Sequence, residues 1–353
     1  MQLLDEQNLE PFLRERGWID SREQVVVSML AGGVSNQVLL VRRAPEEASF
    51  VVKQARPQLR VADPWFCSVE RIAREISVID ICTRLLLQAC TEQVSGASVP
   101  KILFVDRENY CFAMTAAPAG SAVWKAMLLA GQVDPSIART AANLLGILHA
   151  EGWHDPLIAE EVGDRQFFIE LRLDPYYRQL SRLFPPEAPR LESLIEQVLE
   201  NRHTLVHADF SPKNLLVSDA SLMLVDFETG HFGDPAFDIG FFLAHLLLKA
   251  VYHAPRSADY LSLASIFWNQ YVSVIQPCVP ADEIAALERR TVMNMAACLW
   301  ARLDGKSKID YLTETPRRDL VRRLARAWLY EPSALRESFS QIETAASQLP
   351  SRT

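Results

Sequence analysis

Apolar and polar positions change their period along this chain, and each change marks an element. Between 25 and 55, three runs rich in β-branched residues (25–30, 37–43 and 50–53) are separated by Gly/Ser/Asn and Pro/Glu turn signals, which predicts an antiparallel meander. Apolar residues then recur at helical spacing through 68–88, at Val69, Ile72, Ile76, Ile79 and Leu86, which predicts one long helix. A further strand pair, 101–105 and 110–115, brackets the turn 106–109, and the Ala-Ala-Pro-Ala-Gly stretch at 116–120 has the composition of a hinge. Beyond it the period is helical, most clearly at 136–149 and in several segments after 255, with one strand-rich island at 204–225. The tail, 341–353, loses its pattern and is expected to fray.

The island carries the chemistry. A short strand at 204–206 runs into the loop His207-Ala208-Asp209-Phe210-Ser211-Pro212-Lys213-Asn214. Two more strands, 215–217 and 222–225, flank the polar turn 218–221 and end at Asp226-Phe227-Glu228. Strand, loop and hairpin together deliver Asp209, Asn214 and Asp226 to one edge. The spacing H-x-D-x-x-x-x-N followed by a second Asp resembles the catalytic loop and metal-binding segment of protein-kinase-like phosphotransferases. The plainer reading, a surface hairpin with a solvated acidic turn, is disfavoured because all the local signals agree.

With 353 residues, about half of them hydrophobic, the chain has enough material for a large core and two lobes. A formal charge of −8 with interspersed signs lacks the basic footprint of a nucleic-acid binder. Six cysteines (Cys67, Cys82, Cys90, Cys111, Cys278 and Cys298) are scattered without C-x-x-C pairs, as expected of reduced core thiols in the cytoplasm. The first residues lack the basic flank and apolar run of a signal peptide, and the apolar stretches are expected to fall short of a membrane span, so no membrane partner is expected.

In the first half, Gly32 and Gly33 lie between the first two strands, where the backbone can approach phosphate oxygens, and Ser35 and Asn36 add donors. Lys53 sits in the β-rich run Phe50-Val51-Val52-Lys53-Gln54, and a charge among such neighbours needs a partner. Nucleotide phosphates would serve, together with a carboxylate from the following helix; Glu75 is favoured and Glu70 is the alternative.

The segments 207–214 and 225–240 resemble the aminoglycoside phosphotransferase-like small-molecule kinases, which include choline, homoserine and methylthioribose kinases; 51–54 and 144–149 resemble them less closely. The resemblance implies an α+β, protein-kinase-like bilobal fold with a small β-rich N-lobe over 1–116 and a larger, mainly helical C-lobe over 117–353. It implies ATP and Mg²⁺ as cofactors and a small-molecule hydroxyl acceptor. Asp209 would be the catalytic residue, Asn214 and Asp226 metal ligands, and Asp238 a brace for the catalytic loop. Asp226-Phe227-Glu228 fits the D-x-E form of methylthioribose kinases, which makes Glu228 and Arg302 candidate acceptor contacts. Arg302 stands alone where an arginine pair would be expected, and Asn214 follows the broader aminoglycoside-type pattern.

Only eleven residues separate Asp226 from Asp238, too few for the peptide-docking segment of a protein kinase, so an atypical protein kinase is the weaker alternative. A nucleotide-binding pseudokinase or regulatory module is the other. His207 and His149 are expected to brace structure rather than act chemically. The phenylalanines 227, 232, 237, 241 and 242 are expected to pack in the core.

Overall fold

The computed structural model describes residues 1–30, 35–45, 48–58, 67–89, 95–219 and 221–350. Its first half opens with a short helix α1 (Leu9–Glu15), followed by β1 (Val26–Met29), β2 (Asn36–Arg42), β3 (Phe50–Ala55), the long helix α2 (Arg71–Gln88), β4 (Ala97–Ser98), β5 (Ile102–Asp106) and β6 (Cys111–Thr115). Five of these strands form an antiparallel sheet in the order β1-β2-β3-β6-β5, with Lys53 of β3 opposite Val38 of β2 and Phe112 of β6.

Both faces of that sheet are covered. Alternation sends Phe50 and Val52 to one face, where Leu9, Phe12 and Leu13 of α1 pack with Leu39 and Val41. Val51 and Lys53 point to the other, toward α2 and the main core. Every residue of β3 is consequently buried. The sequence reading began at residue 25 and missed α1, although Leu9, Phe12 and Leu13 have i, i+3, i+4 spacing; seven residues make too short a window for periodicity to register.

The second half continues with β7 (Ala122–Val123), α3 (Trp124–Leu129), α4 (Pro135–Glu151), α5 (Pro156–Val162) and α6 (Gln166–Phe168), which runs through a π-helical segment (Ile169–Arg178) into α7 (Gln179–Leu183) and then α8 (Ala188–Glu200). The strands β8 (Thr204–Val206), β9 (Leu215–Val217), β10 (Leu222–Leu224) and β11 (His231–Gly233) come next. Helices α9 (Pro235–Tyr252), α10 (Ser257–Ile275), α11 (Ala281–Asp304), α12 (Thr315–Tyr330) and α13 (Leu335–Ala346) complete it.

The island expected at 204–225 is present but is more than a hairpin. β9 and β10 pair with Leu224 opposite Leu215, β7 adds beside β9, and β4 adds beside β10 in parallel. β4 comes from the first half of the chain and the other three strands of this sheet from the second. β8 pairs separately with β11, His231 facing Val206. The tail also departs from expectation. α13 continues to Ala346 with Ile342 and Ala346 buried, and the Pro350 carbonyl accepts from the buried Arg317. Ala345 and Leu349 pack against the core as well, at spacings the intervening polar residues hid.

At the centre of the core lies α9, capped by Asp234, whose carboxylate accepts from Ala236 N–H at 3.1 Å, with Pro235 in the first turn. By length and apolarity it would cross a membrane, contrary to the expectation that every apolar stretch falls short; here it is almost entirely buried among the other helices. Phe227, Phe232, Phe237, Phe241 and Phe242 are all in this core, as expected. Cys82, Cys111 and Cys298 are fully buried and Cys67 nearly so, whereas Cys278 is at the surface; Cys90 is outside the described residues.

Close crossing of α9 and α11 depends on Gly240. A Cβ there would lie 2.7 Å from Met295 N and 2.9 Å from Thr291 O, both main-chain atoms that cannot swing aside. Gly240→Ala is therefore expected to destabilise the fold by about 1–3 kcal/mol through overpacking, read as a lower urea midpoint at unchanged m-value. A midpoint equal to that of the parent protein would remove Gly240 as the determinant of this crossing.

Candidate active site

The turn after β8 brings His207, Ala208 and Asp209 over the N-terminal turn of α9. Asp238, in that turn, accepts from His207 N–H and Ala208 N–H, both at 2.7 Å. The loop needs this support because Ala208 has φ +61°, a left-handed conformation costly to a residue with a Cβ. His149 of α4 reaches the same carboxylate at 3.4 Å and Tyr271 Oη at 2.8 Å, the structural role expected of it.

His207 also braces the loop. Its Nδ1 accepts from Asp209 N–H at 3.1 Å, so the proton is on Nε2, which donates to Val225 O at 3.2 Å. Burial holds its pKa below the ordinary histidine value, which keeps the ring in this neutral, bridging form.

Asp209 is almost fully buried yet ionised. Burial would raise its carboxyl, but the Arg172 guanidinium and the Lys213 ammonium, each at 2.8 Å, outweigh it and hold the pKa below the usual carboxylate range. Asn214 Nδ2 donates to Asp209 Oδ2 at 2.7 Å and to Asp209 O at 2.9 Å.

Across the site, Lys53 Nζ lies 2.7 Å from Glu75 Oε1 and 2.6 Å from Asp226 Oδ1, which decides for Glu75 over Glu70 as the helix carboxylate. Burial alone would discharge Lys53; Asp226 and Glu75 reverse this and leave it firmly protonated. Burial lifts Glu75 to about 7, against the pull of Lys53. Burial also opposes ionisation of Asp226, and Lys53 and Lys213 overcome it. Asp226 has φ +74°, a second strained position at the site.

Glu228 is placed by residues the sequence reading had grouped differently. Ser35 Oγ donates to it at 2.6 Å, Asn36 Nδ2 at 2.8 Å and Arg71 Nε at 3.0 Å. It thus sits at the strand β2 side of the site, whereas Arg302 donates to Tyr176 Oη and Ser307 Oγ, and the two share no partner. Gly32 and Gly33 lie outside the described residues.

Two arginines were missed by the sequence reading. Arg71, fully buried at the start of α2, joins Glu228, Asn36 Oδ1 and the carbonyls of Ser35, Arg56, Cys67 and Ser68 into one network. Arg172 comes from the π-helical segment, a form that recurs at functional sites. Its only signal was a charge between Leu171 and Leu173, in a run with no recognisable motif.

The donor set suits a hard divalent cation. Ligand oxygens of Glu75, Asp226 and Glu228 lie within 4.8 Å of one another, and Glu75 Oε2 is buried with no hydrogen-bond partner. Carboxylate and carboxamide oxygens with no sulfur or imidazole are the ligands Mg²⁺ takes, with phosphates and water completing its octahedron.

Comparison with known proteins places the chain in a family and a fold. A model of the phosphotransferase enzyme family matches residues 26–265. Methylthioribose kinase from Yersinia enterocolitica is 22% identical over 269 residues, covering 67% of this chain and 64% of that kinase, so the match spans less than two thirds of the relative's own length. Among solved structures, choline kinase from Cryptosporidium parvum aligns with a TM-score of 0.53 and 15% identity over 98% of this chain and 95% of that one. An amicoumacin kinase solved with AMP-PNP and Ca²⁺ aligns with a TM-score of 0.52 and 14% identity over 93% and 95%. At such identities the structures speak for the fold, which is protein-kinase-like. The family match takes in β1 through the first half of α10, and with it Lys53, Glu75, Asp209, Asn214, Asp226 and Glu228: this chain belongs to the phosphotransferase enzyme family.

Proposed function

We propose that the protein transfers the γ-phosphate of Mg-ATP to a hydroxyl group of a small molecule. The observation that carries this is the presence of two charge networks, Lys53 with Glu75 and Asp226, and Asp209 with Asn214 and Lys213, built on the residues of the catalytic loop and the metal-binding segment. In this reading Lys53 binds the nucleotide phosphates, and the glycine turn with Ser35 and Asn36 closes over them. Asn214 and Asp226 hold Mg²⁺, which when bound neutralises charge on the phosphate oxygens.

Asp209 then orients the acceptor. Its carboxylate accepts a hydrogen bond from the acceptor hydroxyl, whose oxygen forms the new bond to γ-phosphorus as the bond to the β,γ-bridging oxygen breaks and ADP leaves. A carboxylate held below the usual range is a weak base, so it takes the proton late, and positioning supplies most of the rate. Lys213, 2.8 Å from Asp209, supplies positive charge near the transferred group.

A small acceptor is favoured over a peptide by the segment after Asp226. Residues 227–240 are all buried, and 231–233 are tied into a strand with β8, so the eleven-residue link offers no exposed floor for an extended chain. Glu228 belongs to the phosphate side in this reading, since its partners are Ser35 and Asn36, while Arg302 remains an acceptor-side residue. The division into a nucleotide lobe, 1–116, and an acceptor lobe, 117–353, and a cytoplasmic setting are parts of the same proposal.

Asp209→Asn should reduce turnover by about 10²–10⁴-fold. It should also lower the melting temperature, because the buried Arg172 loses its counter-charge, yet leave nucleotide-dependent stabilisation intact. Turnover within a few-fold of the parent protein would take Asp209 out of this role.

Mg²⁺ with a non-hydrolysable ATP analogue at a hundred times its Kd should stabilise the fold by about 2.7 kcal/mol. Asp226→Ala should erase the Mg²⁺-dependent part. Stabilisation indifferent to Mg²⁺, or unchanged in that variant, would contradict the proposed metal site.

A further inference from the structure

Deep in the helical half, adjoining the catalytic loop, is a group of cations of which the steps above leave Lys125 and Lys249 without a task. Lys249 is fully buried on α9, and its one hydrogen bond is to the carbonyl of His245, a turn earlier in the same helix, at 3.0 Å. Lys249 Nζ lies 5.6 Å from the centre of the Tyr311 ring, and Lys125 Nζ of α3 lies 5.8 Å from the same ring. Tyr311 Oη, Arg302 Nε and His245 Nε2 are buried with no hydrogen-bond partner, and His245 is 95% buried.

This group is joined to the reacting centre by direct contacts. Lys125 N–H donates to Pro212 O of the catalytic loop at 2.8 Å. Arg172, paired with Asp209, lies over Phe241 at 6.0 Å, and the Phe241 ring is 4.9 Å from that of His245. Arg302 lies 6.0 Å over Tyr176, whose ring is 5.8 Å from Phe241.

The charge balance here is the reverse of that around Asp209. Burial pushes Lys249 down to about 7, and the charged groups acting on it, Lys125 and Arg302, both push the same way. Burial also holds His245 well below its ordinary value, with Lys249, Arg302, Lys213 and Lys125 adding to the effect. Asp310 is the carboxylate that acts on Tyr311, and it is exposed. The buried cations of the catalytic cleft each have a carboxylate: Lys53 has Glu75 and Asp226, Arg71 has Glu228, and Arg172 has Asp209. Arg317, buried elsewhere, is shared among the carbonyls of Val251, Ala254 and Pro350, whereas Lys249 has the His245 carbonyl alone. Burying a cation with no counter-charge is costly, and a bound anion removes the cost.

We propose that the acceptor molecule carries an oxyanion, a carboxylate or phosphate group, seated among Lys125, Lys249, Arg302 and Tyr311 Oη, with its reactive hydroxyl directed at Asp209. The proposal rests on the phosphotransfer reading and narrows it to hydroxy acids and sugar phosphates. Amino sugars and quaternary amines, cations near neutral pH, would meet like charge in a poorly solvated pocket and are disfavoured as acceptors.

The test uses the full chain saturated with Mg²⁺ and AMP-PNP, to which inorganic phosphate, D-glycerate, glucose 6-phosphate, glycerol, glucose or glucosamine is added while the melting temperature is followed. The anionic probes should raise it saturably and the neutral and cationic ones should not. Lys249→Met should weaken the anion effect at least tenfold in apparent Kd and leave the Kd for Mg-AMP-PNP unchanged. If that variant does not fold, Lys125→Met, altered at a half-buried position, should weaken the effect in the same direction. An ADP-release assay should show the higher kcat/KM for whichever anionic compound of a matched pair is accepted. No saturable anion effect, an anion effect that survives the substitution, or a preference for glucose or glucosamine over glucose 6-phosphate would each overturn the proposal. Failure of the parent protein to bind Mg-AMP-PNP would instead overturn the phosphotransfer reading beneath it.

Discussion

The carboxylate of Asp238 holds the catalytic loop in place, and most of the site depends on it. Two adjacent main-chain N–H groups, of His207 and Ala208, point into one buried carboxylate at 2.7 Å each. That geometry is available only with Ala208 at positive φ, a conformation the chain would otherwise leave. Because Asp238 belongs to the first turn of α9, the most buried helix, the strain is borne by the best-packed element in the molecule. Asp209, one residue further on, inherits a fixed position from it, and Asn214 inherits its position from Asp209.

The second constraint is electrostatic. Asp209 and Asp226 lie in a poorly solvated environment and keep their charge because cations are built in beside them, Arg172 and Lys213 at Asp209 and Lys53 at Asp226; Glu75 and Glu228 are paired with Lys53 and Arg71. Such pairs contribute little net stability, since desolvation offsets most of the attraction, and their value lies in fixing which group is charged and where. The cations around Lys249 follow the same physics with the partner left out, and so they point to a ligand rather than to the fold.

Much of the first half was legible because its signals are local. Alternation located β2, β3, β5 and β6, the 3.6-residue period located α2, and the position of Lys53 within an alternating run anticipated its inward face. Pieces that depend on distant partners were not legible. β4 is two residues long and exists because β10 lies beside it, and α1 is held by a sheet face formed from residues 39–52. The segment 169–178 has helical composition, but its widened turn around Pro175, which turns Arg172 toward Asp209, has no sequence signature.

By itself the sequence determined the order of elements, the spacing of Asp209, Asn214 and Asp226, and the shortness of the link to Asp238, all of which depend on neighbours along the chain. Only the tertiary structure decided that Glu75 and not Glu70 meets Lys53, that Arg71 gathers Glu228 with Ser35 and Asn36, and that Arg172 neutralises Asp209. It likewise gave Glu228 and Arg302 different hydrogen-bond partners, Ser35, Asn36 and Arg71 for one and Tyr176 and Ser307 for the other. The physical reason is the same in each case. A motif constrains which atoms are near one another through covalent connection, whereas pairing of buried charges is settled by which side chains face one another after helices and sheet have packed, across separations of 22 to 193 residues that no local pattern encodes.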